Sequence, residues 1–166
     1  MNDVIDLSMT LVKPFEGCHL KVKRGNGYLL KAYLCPAKVW TIGWGETGAH
    51  VTEGLLWTQE QADHTLERRL KQFLLGVYKR CPDLYLLPPE MAAACLSLAY
   101  NIGLGAFGAS SVCRYIKRGE HLKAAEAFLL WNKGGGRVLK GLTRRRQAER
   151  LMFLRGVSQY AVMPVL

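Results

Sequence analysis

The most restrictive feature of the sequence is a run of 23 consecutive residues, at positions 91–113, that contains no charged side chain. A run of this length is nominally able to cross a bilayer, because a membrane-spanning helix needs about 20 apolar residues. However, Asn101 lies near its centre, and the second half contains small residues that favour a loop: Gly103, Gly105, Gly108, Ser110 and Ser111. We therefore predict a buried helix followed by a turn, and no transmembrane segment.

The composition is that of one globular domain. The chain has 166 residues, of which 49% are hydrophobic and 22% are charged. This is enough apolar material for a buried core and too much for intrinsic disorder. Collagen-like, coiled-coil and disulfide-rich miniprotein classes are excluded on the same grounds.

The N-terminus and the cysteines indicate a reducing compartment. An export signal starts with basic residues before its apolar stretch, whereas this chain carries Asp3 and Asp6 there, so we expect no export signal. The five cysteines are an odd number and include no Cys-x-x-Cys pair. We expect free thiols in the cytosol, not a disulfide framework or a zinc site, and we expect no metal or other cofactor.

Positive charge is concentrated in the C-terminal third of the chain. Residues 110–166 contain 12 Lys and Arg against 3 acidic residues, a net charge of +9, whereas residues 1–109 contain 11 against 10, a net charge of +1. Such a field concentrates anionic partners on one side of a molecule. On charge alone, nucleic acid, anionic lipid and the bacterial cell wall are all candidates, as is a solvated basic face that has no partner.

The N-terminal third changes from a helical to a strand-like pattern. Apolar spacing predicts a helix over residues 4–16, with a kink or a frayed last turn around Pro14. Residues 17–52 are rich in glycine, and the alternation at residues 39–42, closed by two glycines, predicts a strand of a small antiparallel sheet.

The rest of the chain has helical patterns. A helix is predicted over residues 58–80, where Thr58 and Gln61 form a capping box. Further helices are predicted at residues 89–101, 110–118, 120–132 and 143–155. The last of them is expected to begin at Thr143 and to stop at Gly156.

This order of elements predicts an α+β fold in one domain of two lobes. Residues 15–57 would form a small β-containing lobe, residues 58–80 a long connecting helix, and residues 81–166 a larger helical lobe on which residues 1–14 pack. Two unequal lobes joined in this way would leave a cleft between them, and ligands usually bind in such clefts.

Glu16 is the one carboxylate that stands out as a candidate for chemistry. The four histidines lie in unrelated contexts, and no GxSxG, HExxH or phosphate-binding motif is present. Glu16 closes the first predicted helix and should project toward the sheet, where a half-apolar carboxyl group is suited to give a proton to a leaving group. The alternative from the residues alone is a solvated glutamate at a helix end.

Five segments of the chain match a known family in order and spacing. The N-terminal segments are FEG at residues 15–17 and AYLCPAKVWTIGWG at residues 32–45. The C-terminal segments are LSLAYNIGLGAF at residues 96–107, SSVCRYI at residues 110–116 and FLLWNKGGGRVLKGLTRRRQAERLMF at residues 128–153. From about residue 10 to residue 155, the chain resembles the phage lysozymes (endolysins) of glycoside hydrolase family 24.

The resemblance implies a lysozyme-like fold and a muramidase, which cleaves the β-1,4 bond between N-acetylmuramic acid and N-acetylglucosamine in peptidoglycan. The family pattern of a Glu, then an Asp or Cys, then a Thr six positions later falls on Glu16, Cys35 and Thr41. Glu16 would protonate the glycosidic oxygen, and Thr41 would hold the attacking water. Cys35 would take the second catalytic position, with a small buried residue before a proline as the alternative.

The sequence departs from the family pattern at two places. Residues 22–30 are an extra stretch, which we expect to form an extended β-turn around Gly25-Asn26-Gly27, where the Asn-Gly step suits a tight hairpin; alternatively Lys21, Lys23 and Arg24 touch carboxylates of the wall. Glu46 stands where relatives frequently have a His. It would be a second acid, a neighbour that raises the pKa of Glu16, or simply an exposed turn residue.

Three further expectations concern binding and packing. We expect Asn101 and Arg137 to contact substrate, together with Glu46. Within the resemblance, the basic run Arg144, Arg145 and Arg146 is expected to form ion pairs with Glu149 inside the helical lobe and to give general wall affinity, not nucleic-acid binding. A basic amphipathic helix can also disturb an anionic membrane, which would be a second lytic activity.

Three functions remain open at this point. The first is a peptidoglycan hydrolase, expected to be a monomer that accumulates in the host cytoplasm and is released by a phage holin to periplasmic peptidoglycan. The second is a lytic transglycosylase, which needs no second carboxylate and is therefore compatible with a cysteine at position 35. The third is a basic cell-wall-binding or nucleic-acid-binding module that keeps the fold without the activity.

Overall fold

The computed structural model describes residues 2–17, 20–35 and 37–162. The chain divides into two compact units. The smaller unit consists of Lys13–Arg69, and the larger combines Met1–Val12 with Leu70–Leu166. Helices and short antiparallel strands occur together, so the predicted α+β class is confirmed.

Helix α1 spans Asn2–Glu16 and buries its apolar face through Val4, Ile5, Leu11 and Val12. Pro14 lies in its last turn, but the helix continues to Glu16. The backbone N–H of Gly17 donates to the carbonyl of Lys13 at 3.3 Å and closes that turn. Of the two alternatives that we expected around Pro14, a kink or a frayed last turn, the frayed turn is therefore not present.

In the described part of the smaller unit, six short strands form two antiparallel sheets. The first sheet has the order β1, β2, β6 and the second has the order β3, β4, β5. These strands are β1 (Lys21–Arg24), β2 (Gly27–Lys31), β3 (Tyr33–Leu34), β4 (Trp40–Ile42), β5 (Glu46–Thr47) and β6 (Leu56–Trp57). The strand predicted at residues 39–42 is confirmed as β4.

The extra stretch forms the β1–β2 hairpin, as predicted. Arg24 pairs with Gly27, so Gly25 and Asn26 are the two turn residues. Gly25 has φ +55°, and a glycine with positive φ at the first central position is typical of a type II′ turn. The turn is therefore built on the Gly-Asn step and not on the Asn-Gly step that we expected.

The core of the smaller unit lies between its sheets and the beginning of helix α2 (Gln59–Arg80). Its buried residues are Leu30, Ala32, Ile42, Val51 and Ala62, and the partly buried Trp40, Trp44, Leu55 and Trp57 pack against them. The predicted capping box starts α2. Thr58 N–H donates to Gln61 Oε1 at 2.8 Å, and Gln61 N–H donates to Thr58 Oγ1 at 3.1 Å.

The larger unit is mainly helical. After a 3-10 helix at Pro82–Tyr85 come α3 (Pro89–Ile102), α4 (Leu104–Ala109), α5 (Ser111–Ile116), α6 (His121–Ala127) with a 3-10 turn at Phe128–Leu130, the hairpin β7 (Lys133–Gly134) and β8 (Arg137–Val138), and α7 (Lys140–Val162). Its core includes Leu96, Leu98, Phe107, Phe128 and Phe153, which are all fully buried. In the described part of the chain, no helix has the length and apolar character needed to span a bilayer.

Two predictions about the helical unit are wrong. The glycine-rich second half of residues 91–113 does not form a loop, because only Gly103 lies between α3 and the short helix α4. Helix α7 begins before Thr143 and continues past Gly156. A Cβ atom built on Gly156 would lie 2.6 Å from Met91 Cγ, so this glycine permits close packing of α7 on α3 and does not end the helix.

The basic run at the start of α7 carries a buried charge cluster, as expected for Arg145 and Arg146. Arg145 Nε lies 3.2 Å from Glu149 Oε1, and Arg146 Nε lies 2.9 Å from Glu149 Oε2. Ser97 donates a hydrogen bond to the same carboxylate at 2.6 Å. Arg144, in contrast, is exposed, so it does not share the buried cluster.

Candidate functional site

Glu16 ends helix α1 within the smaller unit, where its side chain is half-buried. The three-residue loop between β4 and β5 lies against its carboxylate. A Cβ atom built on Gly45 of that loop would lie 3.5 Å from Glu16 Oε2. Gly45 has φ +90°, a conformation that favours glycine, so the loop has no side chain at this position beside the carboxylate.

Cys35 and Thr41 are brought together by the connection between β3 and β4. Cys35 N–H donates to the carbonyl of Val39 at 3.0 Å, and Lys38 N–H donates to the carbonyl of Cys35 at 2.8 Å. In the adjacent ladder Thr41 pairs with Tyr33. The Thr41 hydroxyl donates to the same Val39 carbonyl, so this tight turn holds the half-buried Cys35 beside Thr41.

The surroundings of Cys35 favour its thiolate. A backbone hydrogen bond at Val39 has the largest effect and lowers the pKa of the Cys35 thiol, burial opposes this, and the Ala37 backbone and Thr41 hydroxyl lower it further. Thr41 is buried, and its hydroxyl donates to the Val39 carbonyl at 3.0 Å. Because a hydroxyl has one proton, Thr41 donates either to that carbonyl or to the Cys35 sulfur, and it can accept from another donor in both cases.

Glu46 is not an exposed turn residue, since only 6% of it is accessible to solvent. It lies in β5, and Arg69 of α2 donates to both of its carboxylate oxygens, from Nε at 2.5 Å and from Nη2 at 2.9 Å. His50 Nε2 lies 3.2 Å from Glu46 Oε1. Both oxygens are engaged by cations within the smaller unit, so the arrangement suits a structural ion pair better than a second catalytic acid.

A cluster around Asp63 was not foreseen from the sequence. Asp63 Oδ1 accepts hydrogen bonds from Trp44 Nε1 at 2.5 Å and from Gln59 Nε2 at 3.0 Å, and Asp63 Oδ2 lies 2.9 Å from Lys13 Nζ. Lys13 Nζ also lies 5.4 Å from the centroid of the Trp44 ring. An indole N–H in a protein interior usually has a hydrogen-bond partner. Trp44 is therefore the residue of the sequence that could have indicated this contact.

The Asp63 cluster connects the segments that meet at Glu16. Lys13 lies one turn before Glu16 in α1, and Trp44 directly precedes Gly45 in the β4–β5 loop. Burial opposes ionisation of Asp63, but the hydrogen bonds from Lys13, Trp44 and Gln59 outweigh it, so the pKa of its carboxyl lies below its usual value. The ionised Asp63 thereby fixes the end of α1 to the loop that faces the Glu16 carboxylate.

Asn101 and Arg137, which we expected at a substrate site, lie in the larger unit. The Asn101 side-chain oxygen accepts a hydrogen bond from Arg146 Nη2 at 3.1 Å, which connects it to the buried charge cluster. Arg137 is exposed on β8. Among the described residues, no group of three or more His, Cys, Asp or Glu side chains is arranged to hold a metal ion.

Comparisons with known proteins identify the family of the chain. The model of the phage lysozyme family matches residues 23–149. The endolysin of Bacillus phage B103 is 34% identical over 161 residues, covering 95% of this chain and 56% of that protein. The endolysin of Acyrthosiphon pisum secondary endosymbiont phage 1 is 37% identical over 138 residues, covering 80% of this chain and 91% of that protein. The chain thus spans about half the length of some relatives and nearly all of others.

A solved structure agrees with the sequence comparisons. A mutant of P22 lysozyme superimposes with a TM-score of 0.71 at 32% identity, covering 89% of this chain and 94% of that one. The matched family segment includes Cys35, Thr41, Glu46 and Asp63. The chain therefore belongs to the phage lysozyme family.

Proposed function

We propose that this protein is an endolysin that hydrolyses the β-1,4 bond between N-acetylmuramic acid and N-acetylglucosamine in bacterial peptidoglycan. The observation that carries the proposal is the grouping of Glu16, Cys35 and Thr41 in one compact unit, in which the Cys35 N–H and the Thr41 hydroxyl donate to the same Val39 carbonyl. Membership of the phage lysozyme family supports the same reaction.

Glu16 is the proposed general acid. It would donate its proton to the glycosidic oxygen as the bond to the muramic acid lengthens, a step that general acid catalysis accelerates by about 10²–10⁴. Gly45 supports this assignment, because the residue beside the Glu16 carboxylate carries no side chain that a bound sugar would have to avoid. The Asp63 cluster supports it too, since it fixes the helix end that carries Glu16.

Cys35 and Thr41 are proposed to act on the water that replaces the leaving sugar. The Thr41 hydroxyl would accept a hydrogen bond from this water and orient it. Cys35, whose surroundings favour the thiolate, would take the place that a carboxylate takes in other glycosidases, either receiving the water's proton or stabilising positive charge on the sugar ring. Cys35 and Thr41 can thus supply the second half of the reaction without a second carboxylate.

The proposed site of action follows from the substrate. Peptidoglycan lies outside the inner membrane, so a protein that accumulates in the host cytoplasm would reach it through a lesion such as a phage holin makes. We propose that this protein acts on periplasmic peptidoglycan by that route. Action as a monomer and affinity for anionic membranes stay predictions.

Digestion of purified peptidoglycan in isotopically labelled water tests the reaction type. Hydrolysis requires one labelled oxygen at each new reducing end, read by mass spectrometry of the products. Products that each lack one water and carry no label would identify a lytic transglycosylase. Binding without any soluble product would identify a non-catalytic wall-binding module.

A further inference from the structure

The β1–β2 hairpin exposes an unusual amount of positive charge. Residues 21–31 include Lys21, Lys23, Arg24 and Lys31 and contain no acidic residue. All four side chains are exposed. Throughout the part of the chain that the structure describes, none of the four forms an ion pair with a carboxylate.

The register of the hairpin sorts these cations onto two faces. Lys23 pairs directly with Tyr28, so their side chains lie on the same face, about 5 Å apart at Cβ. Lys21, two residues before Lys23, lies on this face as well, whereas Arg24 and Lys31 lie on the other. Tyr28 is 66% exposed, which gives this face an exposed aromatic side chain across from the Lys23 ammonium group.

The hairpin is also confined to the neighbourhood of the proposed catalytic residues by the chain itself. Lys21 follows Glu16 by five residues, and Cys35 follows Lys31 by four. A fully extended chain covers at most about 3.6 Å per residue, so these separations are at most about 18 Å and about 14 Å. The Cα atoms of Lys21 and Glu16 therefore lie no more than about 18 Å apart, in the same compact unit.

We infer that Lys21, Lys23 and Tyr28 form a binding face for the carboxylates of peptidoglycan stem peptides. This inference rests on the proposed function. The sugar whose bond would be cleaved is the muramic acid, which is also the sugar that carries the stem peptide, so every bound substrate presents peptide carboxylates close to the cleaved bond. Ammonium groups attract these carboxylates, and the tyrosine ring covers the apolar parts of the peptide.

The test compares two pairs of substitutions with the same change in charge. Lys21→Gln with Lys23→Gln alters the proposed face, and Arg24→Gln with Lys31→Gln is the control on the opposite face of the same hairpin. Each variant is assayed on soluble glycan oligomers that carry stem peptides and on the same oligomers after an amidase has removed the peptides. Circular dichroism verifies that both variants are folded.

For the altered face we expect KM on peptide-bearing oligomers to rise about three- to tenfold with kcat unchanged, as two exposed charge contacts predict. On stripped oligomers that variant should match the wild type, and the control should match it on both substrates. Three results would overturn the inference. They are a rise in KM of the Lys21→Gln, Lys23→Gln variant that is equal on stripped and peptide-bearing oligomers, a rise in KM of the control variant as large as that of the altered face, and an unchanged KM of the altered-face variant on both substrates. Failure of the wild type to cleave both substrates would instead contradict the proposed function.

An anionic lipid is the competing occupant of the same face. Sedimentation with phosphatidylglycerol vesicles distinguishes lipid binding from stem-peptide binding. If Lys21→Gln with Lys23→Gln abolishes vesicle binding but leaves KM on peptide-bearing oligomers unchanged, the face is a membrane contact and the inference is wrong. Unaltered vesicle sedimentation together with a raised KM supports stem-peptide binding.

Discussion

Arg69 holds Glu46 through two hydrogen bonds, Nε to Oε2 at 2.5 Å and Nη2 to Oε1 at 2.9 Å. Glu46 is almost fully buried in β5, which pairs with β4 at Thr41 and Ile42. The ion pair therefore anchors the sheet that carries Thr41 to helix α2. A two-point contact between planar groups of opposite charge fixes orientation as well as distance.

Substitution of Glu46 by Gln should destabilise the protein without changing the pH dependence of its activity. Arg69, which is partly exposed, loses the charge partner that the buried Glu46 provides, and we expect the free energy of unfolding to fall by about 1.5–3 kcal/mol. Urea denaturation measures the change in the free energy of unfolding. The double variant Glu46→Gln, Arg69→Met should recover part of the loss, because no unpaired charge is left. A shifted pH–rate profile in the folded single variant would show that Glu46 takes part in catalysis.

Removal of the Thr41 hydroxyl should raise the pKa of the Cys35 thiol. Thr41→Val keeps the shape of the side chain but loses the hydrogen bond that favours the thiolate, whereas Thr41→Ser keeps it. The rate of alkylation by iodoacetamide, followed at the Cys35 peptide by mass spectrometry, should reach half its maximum at a higher pH in Thr41→Val only. Identical pH profiles in wild type and Thr41→Val would disprove the hydrogen bond's influence.

The Asp63 cluster should make stability depend on pH in the acid range. The folded-state pKa of Asp63 lies below its usual 3.8, so its contribution is present above that value and is lost as pH falls through the lowered pKa. Asp63→Asn should be less stable than the wild type at neutral pH and should lose less stability below about pH 4. Glu53→Gln, at an exposed position, is the control and should retain the wild-type slope. If the free energy of unfolding changed with pH in the same way in the wild type and in Asp63→Asn, Asp63 would not be the source of the acid-range dependence.

How far the sequence could predict the structure depends on the distance between interacting residues along the chain. Thr58 and Gln61 are three residues apart, and their capping box was predictable because both partners are local. Glu46 and Arg69 are 23 residues apart, and a single glutamate beside glycines has the composition of an exposed turn. Its burial depends on a cation from another element, which no local pattern reveals.

The residues of the candidate site also fall into those that the sequence predicted and those that only the structure revealed. The family resemblance identified Glu16, Cys35 and Thr41, and the structure adds that the Cys35 N–H and the Thr41 hydroxyl donate to the same Val39 carbonyl. The Asp63 cluster joins α1, the β4–β5 loop and α2, so its members became recognisable only in three dimensions. Gly156 was misjudged because a glycine in a helical pattern signals either an end of the helix or a close packing contact.

A pair of glycine substitutions in α7 tests this packing contact. At Gly156 an added methyl group would lie 2.6 Å from Met91 Cγ, whereas at Gly141 nothing lies within 4 Å. We expect Gly156→Ala to lower the free energy of unfolding by about 1–3 kcal/mol through overpacking. Gly141→Ala should raise it by up to about 1 kcal/mol, because alanine favours the helix. Thermal and urea unfolding of both variants measure these changes. Equal changes in the free energy of unfolding in the two variants would refute the packing contact at Gly156.

The proton donor is the centre of the proposed mechanism, and the lytic activity of Glu16→Gln measures its contribution most directly. The assay follows the turbidity of Gram-negative cells with a permeabilised outer membrane, with Glu53→Gln as a control that also removes one acidic charge. We predict that Glu16→Gln loses at least about 100-fold in rate while it still binds purified peptidoglycan, and that Glu53→Gln lyses at the wild-type rate. A folded Glu16→Gln variant that lyses cells as fast as the wild type would contradict the assignment of Glu16 as the catalytic acid.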